Sequence, residues 1–105
     1  MLVGPSSPFG GKTRTRVLVA LRLLDESFPR ELARVLEVPL NGVLQALRSL
    51  ESDGLVAGRT RGRTRPYRIN PRYFAYQDLQ RFLLRLADGT PELRKRVASL
   101  RRRPD

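Results

Sequence analysis

Residues 29–56 read PRELARVLEVPLNGVLQALRSLESDGLV, and this stretch decides the fold. Pro29 presets φ for a first helical turn, and Ser27 just upstream is placed to cap it. Leu32, Ala33 and Leu36 fall on one side, which predicts a short helix over 29–36. Pro39 disfavours helical geometry at Val38 and then opens a new helix. That helix is expected over 40–53, and Gly54 stops it at the position just past its end. Ala33 is small where a second helix crosses it. Leu36, Val38 and Val43 plug the corner between the two helices, and Ala46 continues the inward side.

Working outward, residues 12–26 predict a helix with Val17, Leu18, Leu21 and Leu24 on one face. Val19 and Leu23 form a second apolar strip on the other side, which calls for cover by another helix or another subunit. Residues 1–11, rich in Gly, Pro and Ser, read as a flexible N-terminal arm. After Gly54 the texture changes. Residues 55–60 and 64–70 suggest two strands, with Tyr67 and Ile69 two apart and Arg61-Gly62-Arg63 as the turn. Pro66 fits such a hairpin only at an edge or a bulge. A helix over 73–87 is expected to turn Phe82, Leu83 and Leu86 inward with Leu79. Thr90-Pro91-Glu92 opens a last helix, whose stripe is Leu93, Val97 and Leu100. The class is therefore mostly α with a small β-hairpin, α+β.

The chain has 105 residues, one domain by size, and carries 21 Lys and Arg against 10 Asp and Glu, a net charge of +11. Such a field attracts polyanions, nucleic acid first. Arginine outnumbers lysine 19 to 2, which a GC-rich genome would also produce. There is no Cys and no His, so thiolate and imidazole chemistry, disulfides and the commonest metal ligands are excluded. The acids are scattered and suggest no two-carboxylate active site. An enzyme is not expected, nor is a cofactor or a metal. No apolar run is long enough to span a bilayer, and the N-terminus lacks the pattern of a signal peptide, so a cytoplasmic protein without membrane contact is the expectation.

The spacing over 29–50 resembles the helix-turn-helix of DNA-binding proteins. With the Arg-rich hairpin directly after it, residues 12–70 resemble a winged helix-turn-helix domain, and more specifically the small regulators of the ArsR and MarR type. The matching phrases are ELARVLEVPLNGVLQALRSLESDGLV and GRTRPYRIN. The resemblance implies a DNA-binding transcriptional regulator, with the 71–105 helices as a dimerisation segment. Three departures stand out. The family's turn carries Gly where this chain has Glu37, so a different local backbone is expected. Leu44 stands where a polar residue is usual. The metal-sensing members use Cys and His ligands that this chain lacks, so metal sensing is not carried over.

On the second helix of the motif, Asn41, Gln45 and Arg48 lie together on the outward side. Asn and Gln suit adenine edges and Arg suits guanine. Ser49 and Ser52 flank them for phosphate, and Leu44 borders the face for a thymine methyl or a neighbouring helix. An ordinary solvated face would carry the same residue types. The hairpin adds Arg59, Arg61, Arg63, Arg65, Arg68 and Arg72 with no acid between Gly54 and Gln77. Strand alternation puts Arg59, Arg61, Arg63 and Arg65 on one face and Arg68 on the other. Together with Gly62 and Thr64 they form a wing for the DNA backbone or a narrow minor groove. The alternative use of such a strand is a solubilising edge.

Lys12, Arg14 and Arg16 are placed for phosphate or for solvent, and Arg101 to Arg103 read as a basic tail. Tyr67, Tyr73, Phe74 and Tyr76 read as a junction core. Val19, Leu23, Phe82, Leu86, Leu93, Val97 and Leu100 are the candidate dimer contacts. The expected partners are double-stranded DNA and a second copy of the chain. The alternatives are an RNA-binding winged helix, or a protein-interaction module that kept the fold.

Overall fold

Helix α1 (Lys12–Leu24) is the element on which the others lean: the four later helices and the second strand all pack against it. The computed structural model describes residues 8–102, without the side chains of Arg101 and Arg102. Most of the expected N-terminal arm and the basic tail at Arg101 to Arg103 therefore lie outside the described side chains. Both apolar strips of α1 are covered within the chain, with Val17, Leu18, Val19, Ala20, Leu21 and Leu24 buried and Leu23 half-buried. The two-sided pattern thus reflects a central helix in a small domain. α1 ends at Leu24, before the expected 26, because Asp25 turns to φ 73°.

α2 (Pro29–Leu36) begins at its proline, but Ser27 does not cap it; the residue before the helix is Phe28, with no side-chain cap. The Ser27 backbone instead pairs with Tyr67, and its hydroxyl bonds the Glu31 carboxylate. At the turn, Glu37 takes the left-handed conformation, φ 58° and ψ 47°. The backbone here is the one glycine would supply, although a substituted residue occupies it at a cost of roughly 1–2 kcal/mol. The Val38 N–H reaches back to Ala33 O at 3.1 Å and closes the corner. α3 (Leu40–Ser52) then crosses α2, with Val43, Ala46, Leu47 and Leu50 buried.

β1 (Val56–Gly58) and β2 (Tyr67–Ile69) are antiparallel, with Val56 opposite Ile69, Ala57 opposite Arg68 and Gly58 opposite Tyr67. The same register continues to the tip, where Arg61 lies opposite Thr64. The strands are shorter than expected because Pro66 accepts from Arg59 N at 3.0 Å but has no N–H to return. This register corrects the expected arginine face. Across a two-residue turn, odd positions on one strand lie opposite even positions on the other, and opposite residues share a face. Arg59 and Arg61 therefore align with Arg68, and Arg65 aligns with Gly58 and Tyr67.

α4 (Tyr76–Asp88) starts three residues later than expected from 73, because residues 71–75 are turns. Asn70 organises them, its Nδ2 donating to Gly54 O at 2.9 Å and its Oδ1 accepting from Arg72 N at 3.0 Å. Its buried face is Leu79, Leu83 and Ala87, so Leu86 is only half-buried and Phe82 is exposed, contrary to the expected face. α5 (Pro91–Arg102) buries Leu93 and Val97. One hydrophobic cluster runs from Val17 to Val97 through every helix and both strands. Tyr67 belongs to it, with Tyr73 and Tyr76 packed at its edge. Phe74 does not: it is 93% exposed.

Candidate nucleic-acid interface

The helical period carries Asn41, Gln45 and Arg48 to the side of α3 opposite its buried stripe, and all three are exposed. Their side chains make no hydrogen bond or ion pair with any described residue. Ser49 is exposed too, but its hydroxyl accepts from Arg14 Nη1. The same guanidinium bonds Phe9 O at 2.6 Å and pairs with Asp53 at 2.8 Å. Arg14 thus ties the start of α1 to the end of α3. Arg16 is likewise engaged, donating to Leu36 O at 2.9 Å. Two of the three cations expected at phosphate or solvent are therefore fold contacts, while Lys12 is exposed.

Leu44 is half-buried and borders a groove of about 480 Å³ between the start of α2, the start of α3 and the wing. Phe28, Leu40, Leu44 and Tyr67 give the groove apolar lining, and Arg30 and Arg63 lie along it. Arg30 and Phe28 were not singled out by sequence; their only signal was their place at the start of α2, the helix that precedes α3, with Phe28 just before it and Arg30 in its first turn.

The wing tip is closed by Arg61 N to Thr64 O at 2.8 Å and Thr64 N to Arg61 O at 3.0 Å. Gly62 takes φ +62° at the first of the two central positions, where hairpin turns favour glycine. Thr64 is exposed, and its hydroxyl donates to Arg61 O at 2.8 Å. The arginines divide into two kinds. Arg59 and Arg63 are exposed and make no ion pair or side-chain hydrogen bond with a described residue. Arg61 lies 3.6 Å from Glu26, a long and exposed pairing. Arg65 is fully engaged: Nε donates to Tyr67 Oη at 3.1 Å, Nη1 to Thr60 Oγ1 at 3.3 Å and Nη2 to Glu51 Oε2 at 2.8 Å. The Tyr67 hydroxyl first, and the Glu51 charge second, push its pKa further above the ordinary arginine value.

The seven candidate dimer residues are not equivalent. Val19, Leu93 and Val97 are buried in the chain's own core, with Val19 and Leu93 on the floor of a pocket of about 350 Å³ that Leu86 also lines. Leu23, Leu86 and Leu100 are half-buried at its edge. Phe82 is 44% exposed and meets Phe9 with ring centroids 5.8 Å apart. Among the described residues, no group of three His, Cys, Asp or Glu side chains is placed to hold a metal ion. No described helix is long and apolar enough to cross a membrane.

A comparison of the sequence with protein families and with characterised proteins gives no match. Solved structures do match. The adhesin competence repressor AdcR from Streptococcus pyogenes superposes with a TM-score of 0.63 at 17% identity, over 85% of this chain and 66% of that one. ZitR of Lactococcus lactis, in a substituted form, gives a TM-score of 0.58 at 14% identity, over 95% of this chain and 67% of that one. The chain spans about two thirds of the length of each. At this identity the likeness concerns the fold. Five helices, with an antiparallel hairpin after the third, make a winged helix-turn-helix.

Proposed function

We propose that the chain is a transcriptional regulator, without enzymatic activity, that binds duplex DNA in a sequence-specific manner. The observation that carries this reading is the row Asn41, Gln45 and Arg48 on α3, unpartnered among the described residues, set beside a wing whose Arg59 and Arg63 are equally free of described partners. A major groove admits one helix, and these three side chain types read adenine and guanine edges. α3 enters the major groove, Leu44 meets a thymine methyl at its border, and the wing lies on the flanking backbone or minor groove through Arg59, Arg61, Gly62, Arg63 and Thr64. The fold likeness to a protein named as a repressor supports the same reading.

The active unit is a homodimer, and the surface available to it is the exposed edge of α4 around Phe82 with Leu86. Two-fold symmetry then places two half-sites about one helical turn, ~34 Å, apart.

Selection of bound sequences from a random duplex pool, with the protein's mass in solution recorded alongside, tests the reading. An enriched palindrome and a dimer mass are expected, with the Phe82→Glu variant running as a monomer. Binding that tracks charge alone, with no enriched sequence, overturns it. Preference for structured RNA over duplex DNA does so as well.

A further inference from the structure

Among the described residues, the carboxylate on α3 that bonds the wing is that of Glu51. We propose that Glu51 is the residue that positions the wing relative to α3, and that Arg65 and Gly58 serve this fastening rather than nucleic-acid contact. The consequence for DNA binding rests on the function proposed above.

Glu51 Oε2 accepts from Arg65 Nη2 at 2.8 Å and from Gly58 N at 3.3 Å. The ladder to β2 uses the residues on either side of Gly58, as in the bond from Arg59 N to Pro66 O. The Gly58 N–H therefore points off the outer edge of β1, where an unpaired donor would otherwise stand. The carboxylate closes that edge from the last turn of α3.

Gly58 also makes room. A Cβ at this position would lie 2.7 Å from Arg65 Nε and 2.7 Å from the Tyr67 ring. The flank left open by the missing side chain is where the guanidinium sits, 5.5 Å from the centre of that ring. All three guanidinium nitrogens are then used on Tyr67, Thr60 and Glu51. Arg59, one residue past Gly58, and Arg63, four residues before Tyr67, have no such partners among the described residues.

An exposed ion pair adds little to global stability. Its effect here is on geometry: it sets the angle between the helix and the hairpin that must meet one duplex together. This gives a sign that charge counting does not. Removing a carboxylate beside a polyanion should tighten binding by simple electrostatics. Removing a positioning carboxylate should weaken it.

The test compares Glu51→Ala, Glu51→Gln, Arg65→Ala, the Glu51→Ala/Arg65→Ala pair and Arg63→Ala on the selected duplex at several salt concentrations. Amide hydrogen exchange at Gly58 is followed in the free proteins. Glu51→Ala and Arg65→Ala are each expected to weaken binding about 3- to 30-fold, with the pair no weaker than either alone. Their salt slopes stay at the unsubstituted value, whereas Arg63→Ala lowers the slope by about one. Glu51→Gln keeps an acceptor and falls in between. Tighter binding by Glu51→Ala, or a slope drop in Arg65→Ala like that of Arg63→Ala, overturns the proposal. Faster exchange of the Gly58 amide in Glu51→Ala is expected. Unchanged exchange overturns the fastening while leaving the DNA reading intact. A selection with no enriched site, by contrast, overturns the DNA reading and the binding role with it.

Discussion

Arg16 on α1 and Arg96 on α5 both end on the last carbonyls of α2, 2.9 Å from Leu36 O and 2.7 Å from Val35 O. Arg22 ends on Gln80 O at 3.0 Å. Arg48 on α3 and Arg59 and Arg63 in the wing, by contrast, meet no described partner. In the first group, Arg16 and Arg96 complement the negative end of α2 and tie α1 and α5 to the helix-turn-helix, while Arg22 ties α1 to α4. The second group offers its charge to solvent. The net charge of +11 therefore combines two uses of one residue type, and only the second is available to a polyanion. The difference teaches that a basic composition measures the attraction of a whole chain without locating its binding face.

Salt breaks the comparison most directly. A dimer that presents the free arginines of α3 and the wing to 6–10 phosphates should lose ~10³–10⁵-fold in affinity between about 50 and 200 mM salt. An affinity flat across that range would mean that the free arginines meet no phosphate.

Exchanging single arginines sharpens the contrast. Arg16→Ala and Arg96→Ala should each lower unfolding free energy by roughly 1.5–3 kcal/mol, because each deletes a charge-assisted hydrogen bond to a helix-terminal carbonyl. Their salt slope for DNA should be that of the unsubstituted protein, as denaturant melts and binding titrations would report. Arg48→Ala and Gln45→Ala should do the reverse. Each is expected to cost ~1–3 kcal/mol on the preferred sequence and relax specificity there. Their stability should stay within about 0.5 kcal/mol, as for other surface changes. Equal losses on random and selected DNA would count against base contact by these two side chains.

The smallest effect concerns the turn. Glu37→Gly relieves a left-handed residue at roughly 1–2 kcal/mol but adds backbone entropy of about 0.5–1 kcal/mol to the unfolded chain. It also deletes the 3.6 Å, exposed pairing with Arg96. A thermal melt should show a gain of up to ~1 kcal/mol, and a loss would mean that the pairing holds α5 more firmly than its exposure suggests.

Much of this site was readable in one dimension. Pro29, Pro39 and Gly54 punctuate the two helices of the motif where the structure has them, and the period of 3.6 put Asn41, Gln45 and Arg48 on one outward row. What failed were faces that depend on register or on distant packing. The four wing arginines were expected on one face because alternation was counted straight through the turn, whereas the pairing of Arg61 with Thr64 reverses the parity. Val19, Leu93 and Val97 were read strip by strip as candidate dimer contacts, whereas α4 and α5 pack against α1 and bury all three in the chain's own core. Phe74 looked like core among its aromatic neighbours, yet the turns at 71–75 leave it in solvent.

By itself the sequence determined the order of the elements, the corner at residues 36–43 and the polar row of α3. These follow from backbone restrictions at proline and glycine and from a helical period, all of which act over a few residues. Only the tertiary structure decided which arginines remain free. Arg14 meets Asp53, Arg65 meets Glu51 and Arg96 meets Val35 across separations of 39, 14 and 61 residues. Partners so far apart are chosen by how the helices cross and how the hairpin lies against them, and no local pattern in the chain encodes that choice.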